Sequence, residues 1–384
     1  MIKRMNREKQ TNLIYIVALY AAIFGQIGIL IAHPLKIEFL ITLCTYLIGF
    51  TSIVAYFFWM LEKEEVVDQL LFLGLMISCL LSIIASGYIT YTSIVKILTF
   101  LQLPIYCTIV GKIKNNKKIK GLIYILHIIY TFFFLYLYNS DNAYKIQSGD
   151  KYIIIDALTL GYNNPNELAL YLFLVFSVLL SGCFYYKRPI IKMFFLLCSI
   201  IIFYLIIQTM SRAALFLASI LVAMTIFTKC LKLPKRLLKV LFIIPLLFAI
   251  ILMAFSDKIN LIQFFGETFD SGRDTIYKNF FGKLSFLGFI FGDFQKYQFV
   301  NMHNAYISIM ATIGFLGAFI FVVLLYRQYE RMFERKITKK HVLTMAFSLL
   351  LIIVYISIEA ALFVAGSLYS VSMFLSVYLM KDEE

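Results

Sequence analysis

Twelve apolar runs follow one another along this chain, most of them close to the length of one bilayer crossing. They are Leu13–Ala32, Phe39–Leu61, Leu70–Ser86, Ile94–Val110, Leu122–Tyr138, Glu167–Phe184, Ile190–Met210, Ala213–Thr228, Val240–Phe255, Asn304–Tyr326, Val342–Ile358 and Ala360–Met380. A helix needs about 20 mostly apolar residues to cross a membrane, within a range of about 17–25. Composition agrees, since 62% of the residues are hydrophobic and 15% charged. A soluble domain is about half apolar and a quarter charged, and so much apolar surface cannot be hidden inside 384 residues. Disorder, a collagen, a coiled coil, a secreted disulfide scaffold and an ordinary soluble enzyme are thereby excluded. The 6 Pro and 18 Gly leave little room for linkers. The expected architecture is an all-α polytopic membrane protein of about twelve transmembrane helices, forming a single integral domain over residues 1–384.

The first run follows Lys3, Arg4, Arg7 and Lys9. Its apolar core of about 20 residues exceeds the ~7–15 of a cleaved signal segment, so it reads as a retained first helix. With the N-terminus in the cytoplasm and strict alternation, the inner segments hold the basic clusters around Lys3–Lys9, Lys63, Lys112–Lys120, Lys187–Lys192, Lys229–Lys239, Arg327–Lys340 and Lys381. They contain most of the 35 basic residues, as the positive-inside rule requires, and both termini then face the cytoplasm. The formal net charge of +14 is therefore a topological signal and not a nucleic-acid footprint. Two intervals are long, Asn139–Asn166 and Ser256–His303, and both fall outside on this alternation. Long loops are commonly lids or binding loops, so the outer face is the expected working face. Six cysteines without a CxxC pair read as small buried hydrophobes.

Polar residues in unusual places collect on that outer face. Leu160-Gly-Tyr-Asn-Asn-Pro-Asn-Glu-Leu-Ala opens the sixth run; its plain reading is a turn with Asn166 as the helix cap. Thr209-Met-Ser-Arg-Ala-Ala-Leu lies between the seventh and eighth runs. Arg212 stands there alone among apolar residues, where a charge either lines a polar cavity or snorkels to the headgroups; the cavity is the favoured reading. Ser271-Gly-Arg-Asp-Thr-Ile-Tyr-Lys has capping-box-like spacing and predicts a short helix. Ile276, Phe280 and Leu284 would rest on the membrane surface or the bundle, with Arg273 and Tyr277 together on another face. A surface helix explains the apolar stripe, but not a cation in the first turn, where the dipole opposes it.

The fourth stretch is Asn301-Met-His-Asn-Ala-Tyr-Ile-Ser-Ile-Met-Ala-Thr-Ile-Gly-Phe-Leu-Gly. It puts His303 and Asn304 at the mouth of the tenth run, where a helix N-terminus favours anions and a neutral imidazole. Gly314 and Gly317 would permit close helix packing. Glu359, near the outer end of the eleventh run, is a further candidate because an intramembrane carboxylate is expensive. The chain has no phosphate-binding GxxxxGK[ST], no HExxH and no GxSxG, and its outer carboxylates form no metal-ligand cluster.

The order GYNNPNELA, SRAALF, GRDTIY and HNAYISIMATIGFLG resembles the O-antigen ligase and polysaccharide polymerase (Wzy-type) family, most closely a capsular or exopolysaccharide repeat-unit polymerase. The resemblance covers about the C-terminal 60% of the chain. Where that family often has a Gly-x-Gly turn, this chain has Gly288-Phe-Ile-Phe-Gly-Asp. The resemblance implies a C-type membrane glycosyltransferase of the bacterial cytoplasmic membrane, with its active site facing outward and no cofactor or metal. Its implied donor and acceptor are oligosaccharides on polyprenyl (undecaprenyl) diphosphate. A flippase and a chain-length regulator of the same pathway are implied partners beside the bilayer itself.

In that frame His303 takes the proton of the acceptor hydroxyl, and Arg212 and Arg273 hold the diphosphate. Asn166, Asp274, Tyr277, Asn304 and Glu359 bind substrate. A ligase moving a finished glycan to another acceptor, and a lipid-linked-oligosaccharide flippase or transporter, are the alternatives. A carrier usually shows two related halves, which this sequence lacks. A non-catalytic scaffold would tolerate replacement of all three catalytic candidates.

Overall fold

The computed structural model describes residues 2–32, 34–62, 65–87, 101–106, 108–140, 145–148, 155–162, 164–259, 263–264, 267–268, 273–293, 296, 303–356 and 367–381. Its helices are α1 (Ile2–Ala32), α2 (Glu38–Met60), α3 (Val66–Ala85), α4 (Leu101–Val110), α5 (Lys117–Asn139), α6 (Pro165–Tyr185) and α7 (Pro189–Gln208). They continue with α8 (Arg212–Phe227), α9 (Lys235–Ile259), α10 (Arg273–Gly282), α11 (Phe286–Phe291), α12 (Ala305–Phe333), α13 (Lys340–Tyr355) and α14 (Ser367–Leu379). Seven of these, α1, α2, α3, α5, α6, α7 and α12, are long and apolar enough to cross a membrane. Each of the other expected runs holds a helix in its described part.

The bundle is helical because lipid leaves no partner for an unpaired backbone amide. The two long loops depart from the all-α expectation, each with one small antiparallel hairpin. In the first, β1 (Lys145–Ser148) pairs β2 (Ile155–Leu158) with Ile146 opposite Ala157; in the second, β3 (Gln263–Phe264) pairs β4 (Glu267–Thr268).

Two helices form the core. In α6 every residue from Leu168 to Gly182 is buried, and α13 is buried along nearly its whole length. They pack on each other, and α7, α8 and α14 surround them. The peripheral helices instead expose whole apolar faces, including Phe39, Phe57, Ile190 and Phe227. Exposed apolar area on that scale marks a lipid-facing surface, so the chain is a membrane-embedded, multi-pass protein. Close approach is set by glycine between α1 and α2, where a Cβ on Gly28 would stand 2.3 Å from the Cys44 sulfur. Cys44, Cys79 and Cys198 are buried, as expected of small hydrophobes. Cys230 is exposed, because it falls in the turn between α8 and α9.

One end of the bundle is charged and cross-tied. Fully buried Asp68 of α3 accepts from Arg327 Nε and Arg331 Nη2 of α12. Arg331 also reaches Glu65 at 3.2 Å, and Lys112 pairs with Glu62 at 3.0 Å. Lys235 pairs with Glu330 at 3.1 Å, and Lys340 Nζ donates to the carbonyls of Thr225 and Thr228 that end α8. Lys120 Nζ donates to the Lys381 carbonyl. Replacing Arg327 and Arg331 together by methionine strands the Asp68 carboxylate in the interior. The expected cost is about 3–5 kcal/mol, read as a lower thermal midpoint in detergent. Asp68→Asn, which keeps hydrogen-bonding atoms beside two half-exposed arginines, is expected to cost less. Equal losses would show that the ion pair does not hold α3 to α12.

The tenth run is not one continuous helix. Gly314 has φ 75° and ψ 172°, which breaks α12 about 15 Å below its N-cap at 1.5 Å per residue. Of the carbonyls freed there, Ala311 accepts from Asp293 N at 2.9 Å and Thr312 accepts from Ser82 Oγ at 2.5 Å. The end of α11 fills the break: a Cβ on Gly314 would lie 1.9 Å from the Ile290 carbonyl oxygen, and one on Gly292 would lie 2.5 Å from Gly314 N. Gly314 therefore permits a backbone crossing, not the helix packing expected of it. Gly317 does pack closely, with Ser78 of α3. The second long loop is thus not wholly a surface loop, since it carries α11 down to the break.

Candidate functional site

The end opposite the ion pairs is where the four motifs open their helices. The antiparallel packing of α8 on α13 establishes this, because Lys340 at the start of α13 caps the end of α8. Arg212, at the start of α8, is therefore at the Tyr355 end of α13. There Tyr355 Oη donates to the Asn166 carbonyl at 3.3 Å, and Ala305 N donates to the Ile356 carbonyl at 2.9 Å. The entries of α6 and α12 are thereby tied to the exit of α13, with the entry of α8 at the same end.

At the mouth of α12, fully buried Asn304 is the N-cap. Its Oδ1 accepts from Tyr306 N at 3.0 Å and Ile307 N at 3.1 Å. An asparagine whose side chain holds two helix amides is committed to structure. His303, just before it, is half-buried with a left-handed backbone, φ 49°. Buried Tyr277 of α10 donates its hydroxyl to the His303 carbonyl at 3.3 Å. The structure therefore brings Tyr277 directly onto His303. The second long loop reaches the histidine through α10, which packs on α9, so the expected apolar stripe meets the bundle. Phe280 is buried and Ile276 and Leu284 are half-buried. Arg273 and Asp274 form the first turn of α10, one turn before Tyr277. Ser271 and Glu359 lie outside the described residues.

At the entry of α6 the cap is Asn164, not Asn166. Asn164 Oδ1 accepts from Asn166 N at 2.8 Å. Pro165 takes the first helical position, where its missing N–H costs nothing, and so places the cap two residues before the expected one. Asn166 then sits in the first turn, half-buried. Tyr162 of the same motif stacks near Tyr171 with ring centroids 6.4 Å apart. Burial, with the Glu167 carboxylate nearby, pushes its phenol above the ordinary tyrosine value.

Arg212 occupies the first position of α8, half-buried, with its charge added to the positive end of the helix dipole. The turn before it is tight. Met210 has φ 56°, and Thr209 Oγ1 donates to the Ile206 carbonyl at 2.7 Å while accepting from Ser211 N at 3.3 Å.

Backbone strain marks the same end. Among the described residues, the non-glycine positions with left-handed φ are Lys36, Leu160, Met210 and His303. Lys36 belongs to the turn between α1 and α2, packed near Gly161, whose added Cβ would meet Pro34 Cα at 2.8 Å. The other three fall inside three of the four motifs. Such residues cost about 1–3 kcal/mol each, persist only where the surroundings over-determine them, and cluster at ligand sites. Sequence reasoning missed Tyr355 and Ser211. A tyrosine in an apolar run carries no pattern, whereas the serine beside Arg212 was legible as a cap position. Among the described residues no three His, Cys, Asp or Glu side chains come together as metal ligands.

Chemically the end offers an imidazole, a permanently charged guanidinium group at Arg212 and helix N-termini. Those parts suit binding and transfer of an anionic group. Compared with family models, with curated proteins and with solved structures, the chain matches none.

Proposed function

We propose that this chain is a glycosyltransferase of the bacterial cytoplasmic membrane that polymerises polyprenyl-diphosphate-linked oligosaccharide repeat units into a capsular, exopolysaccharide or O-antigen-type glycan. In this reading the chain crosses the membrane twelve times. The ion-paired end and both termini face the cytoplasm, and the motif end faces outward, in accord with the distribution of basic residues. The observation that carries it is the meeting of Tyr277 with His303 at one end of the bundle, where Arg212 and Asn166 also open their helices.

The reaction needs charge stabilisation more than activation. The bond between the donor's anomeric carbon and the diphosphate oxygen breaks, and the electron pair leaves with the lipid diphosphate. A new bond forms from that carbon to the acceptor hydroxyl oxygen, whose proton passes to His303. Arg212 and Arg273 hold the diphosphate oxygens as negative charge grows there, a role in which one donor is worth about 3 kcal/mol in a water-poor site. Asn166, Asp274 and Glu359 complete the binding surface for sugar and phosphate, while buried Tyr277 and Asn304 support it by holding the His303 carbonyl and the entry of α12.

A carrier of lipid-linked sugars is the second reading, favoured by the break in α12, since interrupted helices near the midplane are frequent in carriers. Against it, the break is filled by α11. The test is a deletion strain complemented with the wild-type chain, with polyprenyl-linked and surface glycans both sized. Single repeat units on the outer side of the deletion strain, restored to long chains by the wild type, are the expected result. Repeat units trapped on the cytoplasmic side would assign a flippase. Long lipid-linked chains that never reach an acceptor would assign a ligase.

A further inference from the structure

We infer that Ser211 and the first-turn amides of α8 form a seat for a phosphoryl group beside Arg212, which on the reading above is one phosphate of the lipid diphosphate. Ser211 is the N-cap residue of α8, with φ −75° and ψ 100°. From that position a serine oxygen ordinarily accepts from an amide of the first turn. Here it makes no such bond. The hydroxyl is buried, the residue being 5% exposed, and its oxygen has no hydrogen-bond partner. The helix itself begins normally, because Leu215 N donates to the Ser211 carbonyl at 3.1 Å. The neighbouring hydroxyl, on Thr209, is already used within the turn.

An unpartnered hydroxyl at this depth is costly and calls for a partner. The surroundings specify which kind. The amides at the start of a helix, the guanidinium of Arg212 and the positive end of the dipole are all donors or positive charge. A sugar hydroxyl would need acceptors as well, whereas a phosphoryl oxygen needs donors only. The left-handed turn at Met210 fixes the direction from which the chain enters the helix, and with it the position of Ser211.

The test titrates inorganic pyrophosphate into the purified full-length protein in detergent, comparing wild type with Ser211→Ala and Ser211→Thr. Ser211→Ala is expected to weaken binding about tenfold, the effect of losing one hydrogen bond to a charged group. Ser211→Thr, which keeps the hydroxyl, is expected to bind like wild type. The thermal midpoint of Ser211→Ala without ligand is expected to stay unchanged, because no cap bond is lost. Wild-type affinity in Ser211→Ala, a lowered ligand-free midpoint, or a wild-type protein that binds no pyrophosphate at millimolar concentration would each overturn the seat. A wild type that restores long glycans while Ser211→Ala binds normally ends this inference and leaves the polymerase reading standing. Serine-dependent pyrophosphate binding in a protein that restores no glycan does the reverse.

Discussion

A His303→Ala protein, present in the membrane at wild-type level, is expected to leave repeat units unpolymerised. General-base catalysis contributes about 10²–10⁴-fold in rate, so loss of the imidazole should reduce long-chain glycan to a trace. The structural cost should be small by comparison. The cap of α12 is Asn304, and the contact with Tyr277 is made by the His303 backbone carbonyl, which alanine keeps. Alanine also tolerates the left-handed φ of 49° about as well as histidine does, within roughly 1 kcal/mol. Sizing of lipid-linked and surface glycans, with membrane level measured in parallel, separates the two effects. Full-length glycan from His303→Ala would remove the histidine from the chemistry. Tyr277→Phe is the companion variant, because it removes only the hydroxyl that holds the His303 carbonyl.

Gly314→Ala is expected to be the most damaging glycine-to-alanine change among the described glycines. Its Cβ would lie 1.9 Å from the Ile290 carbonyl oxygen and 2.4 Å from its carbon, both backbone atoms that cannot rotate away. The φ of 75° adds a second penalty. Overpacking costs about 1–3 kcal/mol, and a left-handed non-glycine residue about 1–2 kcal/mol more. Gly87→Ala isolates the second term, since Gly87 has φ 73° and an added Cβ there meets no described atom within 4 Å. The expected result is a thermal midpoint in detergent that falls clearly further for Gly314→Ala than for Gly87→Ala. Equal falls would mean that the crossing of α11 over α12 yields easily. Because α11 follows α10 directly, loosening this crossing is also expected to loosen the contact of Tyr277 with His303.

The helices were legible residue by residue, because lipid makes the rule local. A run near 20 apolar residues must close its own hydrogen bonds, and charge clusters mark where it leaves the membrane. The positions of Arg212, His303 and Tyr277 at helix openings followed from the same reading, as did a helix through Tyr277. What the chain does within its apolar runs was not legible. The pattern of Leu, Ile and Phe is the same in buried α6 as in exposed α7, so which helix is central depends on neighbours distant in sequence. Gly314 looked like a packing glycine, and only the arrival of Gly292 at its backbone made it a break. Asn166 looked like a cap, and Pro165 shifted that role to Asn164. The sequence alone determined the apolar helices and the end at which the four motifs gather, since both depend on hydropathy and charge along the chain. The tertiary structure alone decided which backbones cross and which hydroxyls are left without partners, since both depend on close approach between segments far apart in the chain.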